Sequence, residues 1–217
     1  MFEKNRRSWL LVPASRADQI AQAARSGPDA IVLDFVELVA DEHKAAAREK
    51  ARAAIDTAHG GGAEVFAQTA PESLDPDLRA CVWPGLSGVV VSRSESPGQI
   101  LEAAAQLTQL EKDRGISPDT LKIVAALETA RGNHAGYEIV TASPRVCGLT
   151  LGRADLIMDL RPEPSGEIHL MQYLMQRAIV IAGAAGVAPI GIASVGIAPD
   201  APRFICIPAG GALDPRS

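Results

Sequence analysis

The chain alternates short apolar runs with longer amphipathic stretches. The runs are bounded by Gly, Pro and polar residues. They fall at Trp9–Pro13, Ala30–Asp34, Glu64–Gln68, Gly88–Ser92, Lys122–Leu127, Val146–Leu151, Pro189–Val195 and Phe204–Pro208. Apolar runs of about six residues read as strands buried on both faces, the pattern of a parallel sheet. Helical patterns lie between most of them, at Ser15–Arg25, Asp41–His59, Pro97–Arg114, Tyr137–Ala142 and Ile168–Ala185. The stretch from Asp41 has acids in its first turn, bases further on and many alanines, which is helix chemistry. Ser15 is expected to be the N-cap of the first helix, with Asp18 at N3. Gly60, Gly61 and Gly62 read as a helix stop followed by a turn.

Strand–helix alternation on this scale predicts an α/β fold with a parallel sheet. Eight candidate strands favour a TIM (β/α)8 barrel over an open doubly wound sheet. The end of the chain fits that pattern poorly. Only eight residues separate Val195 from Phe204, too few for a crossover helix. Pro199, Pro202, Pro208, Gly210 and Gly211 make the last stretch loop-like. The barrel is therefore expected to be short or incomplete at its C-terminal side. With no interior linker or repeat, a single domain over 1–217 is expected, its segment 196–217 atypical or truncated.

Composition narrows the function classes. At 217 residues, 47% hydrophobic and 22% charged, the chain can bury a substantial core. A net charge of −5 argues against nucleic acid or an anionic membrane as partner. Cys81, Cys147 and Cys206 are odd in number, far apart and set in apolar runs, so they read as reduced, buried thiols. Charged residues follow Met1 closely and Pro13 interrupts the first apolar run, so no leader is expected. No apolar span has the length a bilayer needs. These features together predict a cytoplasmic location.

Two of the apolar runs lead into carboxylates. Lys122–Leu127 is followed by Glu128, and Val146–Leu151 is followed by Gly152, Arg153, Ala154 and Asp155. A short crossover over Tyr137–Ala142 places the two strands side by side. Glu128 and Asp155 then share the end of the sheet where α/β folds carry their chemistry. Paired carboxylates suit a hard cation, Mg2+, with water or substrate completing the shell. Each carboxylate taken alone also reads as a solvated loop residue or helix cap, and both readings remain open at this point.

Several segments follow one another in a familiar order: Arg7–Pro13, Ala30–Asp34, Gly85–Val91, Leu127-Glu-Thr-Ala-Arg-Gly132 and Ala142–Gly152. Together, over roughly residues 6 to 187, they resemble the citrate lyase beta subunit-like branch of the HpcH/HpaI aldolase family. The resemblance implies a Mg2+-dependent TIM-barrel lyase that cleaves or forms carbon–carbon bonds in short hydroxy or keto acids or their CoA thioesters. It further implies a homo-oligomer, trimer or hexamer. Glu128 and Asp155 fall on the family's metal carboxylates and are the catalytic candidates. Gln68, Arg93, Asp34 and Glu128 are the substrate-binding candidates. Gly132 and Gly152 are expected to let substrate approach the backbone closely.

The sequence also departs from that family. Phe66-Ala-Gln68-Thr69 stands where an Arg-x-Asn segment is usual, so Gln68 replaces a carboxylate-binding arginine. A neutral amide cannot make the bidentate pair a guanidinium makes. Phe35-Val36-Glu37 stands for Leu-Glu-Asp, Ser92-Arg93 for Pro-Lys, and Arg153-Ala154 for Ala-Glu. No C-terminal Ile-His-Pro motif is present.

Arg93 is read either as holding an anionic substrate or as a surface arginine paired with Glu95. Asp34 is read as orienting an outer-shell ligand or as capping the next loop. Arg131 and Arg153 suit phosphate, carboxylate or a flanking salt bridge, and His134 an acid–base role or none. The alternatives to a lyase are a malyl-CoA-type thioesterase and a catalytically silent paralogue serving as a subunit or scaffold.

Overall fold

The computed structural model describes residues 6, 8–163 and 165–190, and the backbone of 203–206. The expected strand residues beyond Ile190 and Cys206, Ser194 and most of the 196–217 segment lie outside the described residues.

The buried runs form seven parallel strands that pair in chain order. These are β1 (Ser8–Pro13), β2 (Ala30–Asp34), β3 (Glu64–Thr69), β4 (Leu86–Val91), β5 (Lys122–Ala126), β6 (Val146–Thr150) and β7 (Ala188–Ile190). An eighth strand, β8 (Arg203–Cys206), lies antiparallel on the outer edge of β1. The helices are α1 (Ala17–Ser26), α2 (Asp41–Glu49), α3 (Ala51–His59), α4 (Leu74–Cys81), α5 (Pro97–Asp113), α6 (Ala130–His134), α7 (Gly136–Val140), α8 (Arg153–Leu160) and α9 (Glu167–Ala185).

Strand order distinguishes this sheet from a doubly wound one, because it never reverses. Each crossover steps in the same sense, so the helices gather on one face and the sheet curls around the other. The packing shows both faces. Alternate strand residues such as Leu10, Ile31, Val65, Val89 and Ile123 pack with helix residues Ile20, Ile55, Leu78, Ile100 and Leu107. The residues between them, Trp9, Leu11, Val32, Phe66, Val90, Val124 and Ala126, pack on one another across the concave face. Trp9 and Phe66 pack together there with ring centroids 4.7 Å apart.

Among the described residues the sheet is a curled seven-strand part of a barrel, and a complete (β/α)8 barrel is not formed. Seven strands curl in parallel as expected, but β8 runs the other way, beside β1, and does not pair with β7 among the described residues. Twelve residues, 191 to 202, connect β7 to β8.

Smaller corrections have local causes. The N-cap of α1 is Arg16 rather than Ser15, and it makes no side-chain cap. The Arg16 amide closes a turn onto the Pro13 carbonyl at 3.1 Å, which delays the helix by one residue. The helix expected over Asp41–His59 is interrupted at Lys50. Unforeseen α4 contains Pro76, which reads as a breaker but sits in the first turn, where no helical N–H is lost. Unforeseen α6 starts at Thr129, whose hydroxyl accepts from the Gly132 amide at 3.1 Å.

At the N-terminal end of the sheet, one buried ion pair ties α5 to the entries of β5 and β6. Arg145 donates to both Glu111 carboxylate oxygens at 2.9 and 2.7 Å and to the Leu121 carbonyl at 3.0 Å. Glu111 also accepts from the amides of Asp119 and Leu121 at 3.0 and 2.8 Å. Burial pushes the Glu111 carboxyl upward, but Arg145 and the two amides outweigh it and hold it below the ordinary range. A depressed carboxylate contributes stability above its unfolded pKa, and that contribution is lost as pH falls through the folded value. Arg145→Leu leaves Glu111 buried without its partner and is expected to lower the unfolding free energy by about 3–5 kcal/mol at neutral pH. The deficit should shrink in acid, below the usual carboxylate range. Urea denaturation of both proteins across pH measures it, and an undiminished deficit in acid would refute the assignment.

Candidate metal and substrate site

The strands β2 to β6 deliver a cluster of polar residues to their C-terminal ends. Asp34, the last residue of β2, is fully buried, and its carboxylate accepts three backbone N–H groups. These come from Val36 at 2.7 Å, Glu37 at 3.1 Å and Leu38 at 2.9 Å. Desolvation raises the Asp34 carboxyl, and the three amides act against it. Asp34 thus caps the loop that carries Glu37. Gln68 on β3 stands opposite Asp34, and its amide nitrogen lies 3.4 Å from a Glu37 carboxylate oxygen.

Glu128 follows β5 and is 4% exposed. One of its carboxylate oxygens accepts the backbone N–H of Arg93 at 2.8 Å. Arg93 has a left-handed backbone, φ 46°, just beyond β4. That conformation is uncommon for a non-glycine residue and here directs an amide at a functional carboxylate. The Arg93 side chain turns away, to the exposed Glu72, so its expected pairing with Glu95 is corrected. Glu95 faces Arg131 at 3.4 Å instead, and Arg153 pairs with Glu167 at 2.6 Å. His134 is exposed at the end of α6.

The two glycines have a different use from the expected one. A Cβ on Gly152 would lie 2.6 Å from Glu128 Cγ, and one on Gly132 would lie 2.3 Å from the Ser94 carbonyl oxygen. Protein atoms occupy the space these residues leave. Gly152 permits Glu128 to fold across the start of α8, whose first turn carries Asp155.

One carboxylate oxygen from each of Glu37, Glu128 and Asp155 lies within 4.8 Å of the others. The structure therefore brings Glu128 and Asp155 together as the sequence suggested and adds Glu37. Burial chiefly pushes the Glu128 carboxyl up to about 8, and the charges of Glu37 and Asp155 push in the same direction. Three carboxylates this close need a proton or a cation between them. An all-oxygen donor set fits Mg2+. Glu37 was missed because it follows a strand end by three residues, and its aim depends on how Asp34 folds the loop. Serine and threonine at the ends of β4 and β6 were also passed over. Ser92 and Thr150 are buried there without hydrogen-bond partners among the described residues.

A curled parallel sheet with a carboxylate cluster beyond its strand ends is the arrangement of barrel-type enzymes. Within that class, the chain belongs to the HpcH/HpaI aldolase/citrate lyase family, which residues 7–202 match. It is 33% identical over 193 residues to a citrate lyase subunit beta-like protein of Deinococcus radiodurans, covering 86% of this chain and 65% of that one. It is 30% identical over 189 residues to citrate lyase subunit beta of Haemophilus influenzae, covering 85% and 64%. The chain thus spans less than two thirds of either relative. Among solved structures, CitE of Mycobacterium tuberculosis in complex with magnesium and acetoacetate superposes with a TM-score of 0.63 at 24% identity, covering 83% of this chain and 70% of that one. Among the described residues, no helix is long and apolar enough to cross a membrane.

Because Glu128 must lose its proton before it can hold a cation, apparent Mg2+ affinity is expected to rise by up to about tenfold per pH unit below about 8 and to level off above it. Glu37→Gln removes one of the charges that push the Glu128 carboxyl up, so its affinity should level off at a lower pH than that of the wild type. Calorimetric titration between about pH 6 and about pH 9 checks this, and a wild-type affinity that does not change with pH would assign the proton elsewhere.

Proposed function

We propose that this protein is a Mg2+-dependent carbon–carbon lyase or condensing enzyme acting on a short hydroxy or keto acid or its CoA thioester. The observation that carries the reading is the convergence of Glu37, Glu128 and Asp155 within 4.8 Å beyond adjacent strands of a family fold. The names of the citrate lyase subunit beta relatives support the reaction class, and the ligands of the Mycobacterium tuberculosis neighbour support the choice of cation and acid.

Each residue has a distinct part in this reading. Glu37, Glu128 and Asp155 would hold the cation. When bound, Mg2+ supplies neutralisation of the negative charge that develops on a substrate oxygen as the carbon–carbon bond breaks or forms. Asp34 fixes the loop that aims Glu37, and the Arg93 amide fixes one oxygen of Glu128. Before the cation enters, the buried Glu128 carboxyl carries a proton at neutral pH. Gln68 offers a neutral amide at the site edge. On α9, Ile168, Tyr173, Met175, Ile179 and Val180 are exposed, and this apolar surface supports assembly of several copies.

Calorimetry with Mg2+, alone and with pyruvate or oxaloacetate, tests the proposal on wild type, Glu128→Ala and Glu37→Gln. Binding that requires Glu128, weakens at least about tenfold in Glu37→Gln and tightens with a keto acid is expected. Absence of Mg2+ binding under both conditions would overturn the metal-dependent lyase and favour a scaffold role.

A further inference from the structure

Strand register places two hydroxyls on either side of one small residue, directly inward of the carboxylates. Val90 of β4 stands opposite Val124 of β5, and both belong to the concave core. Two residues further on, the same alternation brings Ser92 beside Ala126, which is also concave-facing and stands opposite Thr150 of β6. Residues paired across a sheet share a face. Ser92, Ala126 and Thr150 therefore form one inward-facing row, and Glu128 lies two residues beyond Ala126 in the same alternation. Three neighbouring strands put the outer members of the row about 10 Å apart. Ala126 stands between them in the row.

Ser92 is 1% exposed and Thr150 6% exposed. Among the described residues, neither hydroxyl has a hydrogen-bond partner. Buried hydroxyls in native proteins nearly always find one, so such an exception calls for an explanation. The other orphaned groups are placed differently. Thr69 alternates with Val65 and Ala67, which face the helices. Trp9 lies at the far end of the concave face, and Asn133 lies in α6.

Charge around this row is one-sided. The Arg93 guanidinium, on the residue whose amide holds Glu128, is committed to Glu72 outside the site. A divalent cation offsets two of the three carboxylates of the cluster and leaves one over. Gln68, which ends β3 on this side, is neutral, and Glu64 on the same side is paired with Arg6 at the other end of the strand. Among the described residues, the arginines near the concave face are thus committed elsewhere, Arg6 to Glu64 and Arg93 to Glu72.

We infer that Ser92 and Thr150 bind the inward end of the substrate, and that this end is uncharged. The site then takes short 2-hydroxy or 2-keto monocarboxylates, or matching neutral acyl groups, in preference to dicarboxylates. This inference rests on the Mg2+ reading above. The hydroxyls act on substrate through neutral hydrogen bonds, donating to or accepting from a carbonyl or hydroxyl oxygen. They have no share in holding the cation.

The test uses the full chain with saturating Mg2+ and two probes of matched skeleton. 2-Hydroxybutyrate ends in a methyl, and malate carries a carboxylate in its place. Wild type is expected to bind 2-hydroxybutyrate more tightly than malate. Thr150→Val and Ser92→Ala should each weaken 2-hydroxybutyrate by about two- to tenfold, the loss of one neutral hydrogen bond. Neither change should alter Mg2+ affinity, and neither should lower the melting temperature, because no internal bond is broken. Tighter binding of malate by wild type would overturn the inference while leaving the lyase reading intact. Unchanged 2-hydroxybutyrate affinity in both variants would do the same, and a fall in melting temperature alongside it would assign the hydroxyls a structural role. If wild type binds no Mg2+, the lyase reading fails first and the inference falls with it.

Discussion

The burial of Glu128 is the constraint on which the rest of the site depends. An isolated carboxylate taken out of water is costly, and the group responds by holding a proton or finding a cation. Here the carboxyl is 4% exposed, close to Glu37 and Asp155, and its pKa stands near 8. Several local features exist only because this side chain lies where it does. Gly152 has no room for a Cβ against it, and Arg93 takes a left-handed backbone that turns its amide toward a Glu128 oxygen. The Ser94 amide then donates to Ala126 at 2.9 Å, which continues the β4–β5 ladder past the end of β4. A position that bends its neighbours in this way is a site under constraint rather than a solvated strand end.

The curled sheet explains why the cluster can form. Strands paired strictly in chain order bring the ends of β2 through β6 onto one rim, so residues far apart in sequence meet there. Glu37 and Asp155 are separated by most of the chain, yet both reach Glu128 because the curl turns their loops toward the same axis. An order that reversed midway would have laid the same loops along a line. The ion pair of Glu111 and Arg145 secures the opposite end of the same strands, where a shift in the register of β5 against β6 would carry Glu128 away from Asp155.

Much of this was legible from residue pattern alone. Buried runs gave the seven parallel strands, because continuous apolar sequence has few other uses at that length. Glu128 and Asp155 could be paired because the first directly follows such a run and the second comes four residues after another. Features that depend on loop geometry were not legible. Glu37 reaches the cluster only because Asp34 collects three amides and folds the loop, and Arg93 chooses Glu72 over Glu95 because of where the 3-10 turn of residues 71–73 falls. The direction of β8 was half legible. The short connection excluded a crossover helix, but the partner strand and its sense depend on tertiary pairing. Pro76 hid α4 because proline in a first turn and proline as a breaker look alike in sequence.

The site's anions are held mainly by neutral donors. Three backbone amides hold Asp34 and one holds Glu128, whereas the arginines near the rim pair outward, Arg93 with Glu72, Arg131 with Glu95 and Arg153 with Glu167. An amide stabilises a carboxylate without cancelling its charge at a distance, and a guanidinium would cancel it. Amide-held carboxylates therefore stay available to a cation that must come from solution, and the rim keeps a negative potential to attract it. The same economy shapes the inward row, where Ser92 and Thr150 offer hydrogen bonds without charge. Under the proposed Mg2+ reading, a cationic side chain in that row would compete with the ion for Glu128. A site that kept its positive charge for such an ion would have to read the rest of a substrate with neutral groups.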